Sequence, residues 1–201
     1  MSPKLQSRTK AKPIGFMSMS FLERTDFDAL AHRFKVQLFN SVVGHKNACL
    51  IATENQVKQS NLAIFNSLVH IGSSPPLLGV IFRPDSVERH TYENILETKS
   101  YTVNLISEKD IASAHQTSAR YPRTESEFKV TSLAAAYKDG FHAPYVESSP
   151  ISFGLEFREN IPLEINGTNL VIGEVKWLKF PEEILALGGF AELTKAGIVG
   201  C

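Results

Sequence analysis

The sequence predicts a mainly-β domain with short helices, its strands running in meander as an antiparallel barrel. Three observations carry this expectation. Between Ile151 and Trp177, apolar and polar residues alternate along two runs joined by Asn166-Gly167, the period of a half-buried hairpin. Ahead of residue 85, Val, Leu, Ile and Phe collect in short stretches parted by Gly and Pro, as strands and turns require. Helical signals, where they occur, are brief.

Length and composition allow such a fold. A chain of 201 residues can bury one core of its own. Hydrophobic residues at 43% and charged residues at 21% exclude a disordered, collagenous or coiled-coil protein. Lys and Arg number 21, as do Asp and Glu, so no whole-molecule field draws in nucleic acid or an anionic membrane, and neither is expected as a partner. Any bound anion must be held by a local cluster. Residues 1–20 read as a flexible arm, basic at Lys4, Arg8, Lys10 and Lys12 but without the apolar stretch of a signal peptide; residues 21–201 read as one domain. The cysteines Cys49 and Cys201 are far apart, and Cys49 lies in an apolar run, which implies a reduced, cytoplasmic protein.

The elements follow in order. Thr25 and Asp28 suggest a capped helix reaching about His32. Residues 34–52, rich in Val, Leu and Phe, suggest two strands turning at 44–47, and residues 62–69 and 76–82 two more, with 72–75 unable to sustain a strand. Residues 86–99 take a helical period with Val87, Tyr92, Ile95 and Leu96 on one face, and Thr91, with Glu93 two positions on, predicts the helix start close to it. Tyr101, Val103 and Leu105 then alternate as a strand. Ser107 with Asp110, and Thr124 with Glu127, predict two further capped helices. Asn166-Gly167 predicts a two-residue type I′ turn, and Pro181-Glu182-Glu183 a last short helix.

Chemistry is first narrowed by absences. The six histidines show no HExxH spacing and there is no CxxC, so no metal site is expected. GxGxxG, GxxxxGK[ST] and GxSxG are missing as well. Two segments remain. In residues 83–95, Arg83, Arg89, His90 and Thr91 meet at a helix N-terminus, where unpaired N–H groups and the dipole favour an anion such as phosphate; a capped surface helix with solvated arginines is the plainer reading. In residues 60–67, Asn61 and Asn66 interrupt an apolar strand and need partners. A flat heteroaromatic ring approaching over Ala63 would supply them, as would a bulge or turn satisfied by nearby main chain.

Taken in order, these segments resemble the flavin reductase-like family. The resemblance rests on Asn61-Leu62-Ala63-Ile64-Phe65-Asn66-Ser67, Pro75-Pro76, Arg83-Pro84, Arg89-His90-Thr91-Tyr92-Glu93-Asn94-Ile95 and Val103-Asn104-Leu105, followed by Ser126-Glu127-Phe128, Ala143-Pro144-Tyr145-Val146-Glu147-Ser148 and Ile172-Gly173-Glu174-Val175. It implies an FMN-binding split β-barrel that forms a homodimer. Asn61, Ala63, Phe65, Asn66 and Ser67 would border the isoalloxazine and ribityl chain, and Arg83, Arg89, His90 and Thr91 would hold the phosphate. Asn94 would support the helix start and Asn104 the fold. Ile64 and Asn66 stand where relatives often carry Pro and Ser. The implied activity is transfer of reducing equivalents from NADH or NADPH through FMN to another acceptor, with no side chain assigned a catalytic role. An FMN carrier or sensor without nicotinamide turnover is the alternative, followed by a pyridoxamine-phosphate-oxidase-like enzyme, for which Arg120, Arg123 and Lys129 offer the one loose second basic cluster.

Overall fold

The computed structural model describes residues 21–84 and 87–200. They fall into two compact units that divide after Gly44; the arm expected over residues 1–20 lies outside the described residues. The first unit holds helices α1 (Arg24–Ala29) and α2 (His32–Val42). The N-terminal turn of α1 is closed by the Glu23 N–H donating to Asp26 Oδ2 at 2.8 Å, two residues earlier than the expected Thr25 and Asp28. The strand expected from residue 34 is instead helix α2. Phe34, Leu38 and Val42 recur every fourth residue, a helical stripe that β-prone composition hides. Phe27 meets Phe39 edge-on, with ring centroids 5.3 Å apart.

The second unit is a seven-stranded antiparallel sheet. Its strands are β1 (Cys49–Glu54), β2 (Ser60–Phe65), β3 (Leu68–Ser73), β4 (Pro76–Phe82), β5 (Ser100–Leu105), β8 (Ser152–Leu163) and β9 (Thr168–Lys179), in the order β2-β1-β5-β8-β9-β4-β3. A small ladder of β6 (Ala135–Ala136) and β7 (Tyr145–Val146) and helices α3 (His90–Thr98), α4 (Ile111–Gln116) and α5 (Glu127–Val130) complete it. The topology dictates a barrel. β2 and β3 lie at opposite edges of the sheet, yet only Asn66 and Ser67 separate them in sequence. So short a link forces the sheet to curl until its edges meet, and no ladder joins β2 to β3 across the seam: the barrel is split there.

Four strands precede residue 85, as expected, but they are placed differently. One expected strand became α2, and the run over 62–69 breaks at Asn66-Ser67 into β2 and β3, the latter continuing through Gly72 and Ser73. β8 and β9 form the hairpin that the alternation predicts. Their loop has four residues, not two: Leu163 pairs with Thr168, and Gly167 alone takes a left-handed φ, +69°, with its N–H on the Leu163 carbonyl at 2.9 Å. Pro181 leads into a single 3-10 turn, Glu182–Ile184.

β1 is buried along its whole length because it divides two apolar layers. Cys49 and Ile51 face the barrel interior with Val80, Phe82, Val103, Leu155 and Val171, and α3 plugs that interior with Tyr92 and Ile95. Leu50 and Ala52 face outward, beneath Ala114 of α4, Leu133 and Val146. Each such fully buried aliphatic side chain contributes about 1.5–3 kcal/mol. Asn104 belongs to this fold, as expected: it is wholly buried, donates to Leu50 O and Thr102 Oγ1, and accepts the Val146 N–H at 3.0 Å. Phe153 and Phe157 pack on the interior core, whereas Trp177 lies over Gly154 with Phe141 and Tyr145 edge-on to it.

Candidate functional site

Helix α3 and strand β2 carry the predicted site residues. α3 forms because Tyr92 and Ile95 bury on one side, and it ends where Lys99 takes φ +59°. Arg89 is its N-cap, and the Arg89 side chain makes no capping hydrogen bond to the first turn. Instead Glu93 Oε1 accepts the Arg89 N–H at 3.0 Å. Thr91, expected as the cap, sits inside the first turn, 6% exposed. Its hydroxyl accepts a hydrogen bond from Asn61 Nδ2 at 2.8 Å, and a second such bond runs from Asn94 Nδ2 to Thr53 Oγ1 at 3.0 Å. These two bonds pin the helix start across β2 and β1. They also supply the Asn61 amide with a protein partner, so a ligand edge is not required for it.

The other predicted residues spread along the same seam. Asn61, Ala63 and Phe65 alternate on the inward side of β2, while Leu62 and Ile64 join the outer layer. Phe65 meets Phe82 at a tilt, ring centroids 5.0 Å apart, and Phe82 meets Tyr92 at 5.5 Å, so an aromatic chain links β2, β4 and α3. Asn66 is exposed, and Ser67 Oγ donates to the Ile81 carbonyl at 2.8 Å. Arg83 is exposed at the end of β4 and, among the described residues, its guanidinium has no ion pair or hydrogen bond. Arg89 Nε donates to Pro84 O at 3.4 Å, and His90 Nε2 lies 3.5 Å from Glu88 Oε2.

A polar recess opens at the Asn61 end, lined by Asn55, Gln59, Ser60, Asn61, His90, Asn94, Arg123 and Glu125. Arg123 comes from the loop ahead of α5. It pairs with Glu93 and Glu88 and donates to Asn94 Oδ1 at 3.2 Å. The hydrogen bond from Arg123, then that from His90, hold the Glu88 carboxyl below its ordinary range. Of the loose cluster Arg120, Arg123 and Lys129, Arg123 is committed to two carboxylates. Glu127, like Arg123, is named by the sequence but in another role than the one the fold gives it. Instead of boxing with Thr124, it is buried and accepts the Leu62 N–H at 2.8 Å, and burial pushes its carboxyl up. The local patterns, a cap pair with Thr124 for Glu127 and a loose basic cluster for Arg123, do not give these contacts, since both residues act on elements dozens of residues away. His70 and His142 do not line the recess: His70 meets Ser73 on β3, and His142 the Glu54 carbonyl. Among the described residues no group of His, Cys, Asp and Glu is placed to hold a metal ion, and no helix is long and apolar enough to cross a membrane.

A seven-stranded barrel split between β2 and β3, with an arginine-bearing helix start beside the split, defines the chain as a split-barrel protein. The sequence profile of the flavin reductase like domain matches residues 45–192, and the chain belongs to that family. A split-barrel protein from Shewanella frigidimarina NCIMB 400, assigned as a flavin reductase, is 38% identical, with a TM-score of 0.87 over 92% of this chain and 91% of that one. Component B of nitrilotriacetate monooxygenase from Bacillus cereus (18% identical, TM-score 0.79, 92% of each chain) and the flavoredoxin of Desulfovibrio vulgaris (Miyazaki F) (22%, 0.65, 90% of this chain and 85% of that one) share the fold. Among curated proteins, an uncharacterized protein from Aquifex aeolicus (strain VF5) is 26% identical over 127 residues, and the match spans 62% of this chain and 64% of that protein's length.

Proposed function

We propose that the chain binds FMN along the seam between β2 and α3 and passes reducing equivalents from NADH or NADPH to a further acceptor. The observation that supports it most directly is the Asn61–Thr91 hydrogen bond. It joins, in space, the two segments whose residue types suit the two ends of one ligand. The donor set fits a phosphate dianion: two guanidiniums with capacity to spare, the N-terminal end of α3 with its dipole, and a Thr91 hydroxyl that accepts from Asn61 and keeps its own proton to donate. Arg83, Arg89, His90 and Thr91 would hold that group. Ala63, small and inward-facing, would let a ring approach the strand, with Asn61, Phe65, Asn66 and Ser67 around it.

Bound FMN would supply the redox chemistry itself, two-electron acceptance from a nicotinamide and delivery onward. The chain's own part is to position and to exclude water, and no side-chain acid or base is assigned. A homodimer is part of the proposal. β3 is an edge strand with Val69 and Ile71 each 43% exposed beside Gly79, and a two-fold partner would cover them.

The test is an absorbance spectrum of the freshly purified protein, followed by anaerobic titration with NADH and NADPH. A flavin spectrum bleached by either nicotinamide is the expected result. A yellow protein that neither bleaches would be a carrier or sensor, and a colourless protein that takes up no added FMN overturns the reading.

A further inference from the structure

Arg123 sits on the loop that leads to α5, about thirty residues beyond α3, yet its guanidinium is fixed to the first turn of that helix through Glu93, Glu88 and Asn94. Glu93 is not dispensable there, because its other oxygen accepts the Arg89 N–H and closes the turn. The helix start therefore carries two carboxylates, Glu88 and Glu93, beside Arg89 and His90, with Glu125 on the recess wall. Left unpaired, carboxylates at the same helix start would repel a phosphate dianion bound there, because like charges closer than the screening length of about 8 Å at physiological salt act on one another.

We infer that Arg123 is a positioning residue for the phosphorylated flavin: pairing with Glu88 and Glu93, it offsets one of their two negative charges, so that together with Arg83 and Arg89 the corner keeps a net positive charge toward the phosphate. This rests on the FMN reading above and extends it to selectivity between FMN and riboflavin, which differ by the phosphate alone. Glu93 can then keep its structural bond to Arg89 without weakening the anion site.

The experiment titrates the full chain, stripped of flavin, with FMN and with riboflavin by quenching of flavin fluorescence, in wild type, Arg123→Gln, Arg123→Lys and the triple variant Glu88→Gln, Glu93→Gln, Arg123→Gln. Arg123→Gln should weaken FMN by about tenfold or more, a loss of roughly one decade in affinity, and leave riboflavin within about twofold. Arg123→Lys, which keeps the charge, should retain most of the FMN affinity, and the triple variant should recover it. Circular dichroism of each variant separates a folding failure from a charge effect, and the triple variant removes the like charges that could unfold the single one. Equal losses for both flavins, no loss in Arg123→Gln, or no recovery in the triple variant overturns the inference. Wild type that binds riboflavin as tightly as FMN overturns the FMN reading, and the inference with it.

Discussion

The Glu127 carboxylate accepts the main-chain N–H of Leu62 at 2.8 Å, across 65 residues of sequence. Leu62 lies on β2, the edge strand beside the proposed flavin seam, and its N–H points away from β1. Beside it Ser126 Oγ meets Ser60 Oγ at 2.8 Å. The start of α5 thus covers an edge that would otherwise be open to another strand, and it fixes the strand that presents Asn61, Ala63 and Phe65.

Glu127→Ala should therefore cost about 1–3 kcal/mol, because a buried N–H loses its acceptor. Glu127→Gln keeps a carbonyl oxygen for that N–H and removes the titration. Burial raises the Glu127 carboxyl above its ordinary value of 4.5. A group raised on folding adds stability that is full below the unfolded value and is lost as pH climbs through the folded one. The stability of Glu127→Gln relative to wild type should thus rise from the ordinary carboxylate range toward neutral pH. Urea denaturation at several pH values measures it, and a difference that is flat with pH contradicts the assignment.

The Asn61–Thr91 bond can be weighed by a double-mutant cycle. Asn61→Ala and Thr91→Val each remove one partner, and a coupling of about 1 kcal/mol is expected if the bond seen between β2 and α3 persists in solution. Each single variant should also lose FMN faster on dialysis, since the two halves of the seam are then free to part. Additive stabilities with unchanged FMN retention would detach this bond from the site.

Arg89→Ala tests the phosphate end. A lost charge-assisted hydrogen bond is worth roughly 1.5–3 kcal/mol, so FMN should bind about ten- to a hundredfold more weakly while riboflavin is unaffected. Isothermal titration with both flavins reads the difference, and unchanged FMN affinity removes Arg89 from the site.

What was legible in the sequence divides along a physical line. The β8–β9 hairpin and α3 could be read because their burial is one-sided and leaves a period of two or nearly four residues; β5, buried on both faces, could be read because Tyr101, Val103 and Leu105 alternate with the polar Thr102 and Asn104. Helix α2 was misread because Val and Phe favour strands in composition while Phe34, Leu38 and Val42 obey helical spacing. The site's two segments stood out as polar residues in apolar surroundings or arginines at a helix start. Their meeting through Asn61 and Thr91, and the supporting roles of Arg123 and Glu127, depend on contacts between distant stretches of chain. Thr91 shows the difference: the same hydroxyl that suits a cap is taken by an amide from β2, a choice only the tertiary packing makes.

The barrel interior offers a last test, in Tyr101 and Gly173. Tyr101 is wholly buried, its hydroxyl has no hydrogen-bond partner among the described residues, and burial pushes its ionisation well above the ordinary range. A Cβ added at Gly173 would stand 2.2 Å from that hydroxyl and 2.9 Å from the ring carbon bearing it. Gly173→Ala should accordingly destabilise by about 1–3 kcal/mol or more through overpacking. Tyr101→Phe removes an unsatisfied polar atom and should be neutral or stabilising. Combined, the two changes should cost less than Gly173→Ala alone, because the nearest obstacle is gone although the ring remains close. Guanidinium denaturation of the three variants decides it: a loss in Tyr101→Phe of more than about 1 kcal/mol would mean that the hydroxyl has a partner, such as a bound water, and that the interior is wetter than this packing implies.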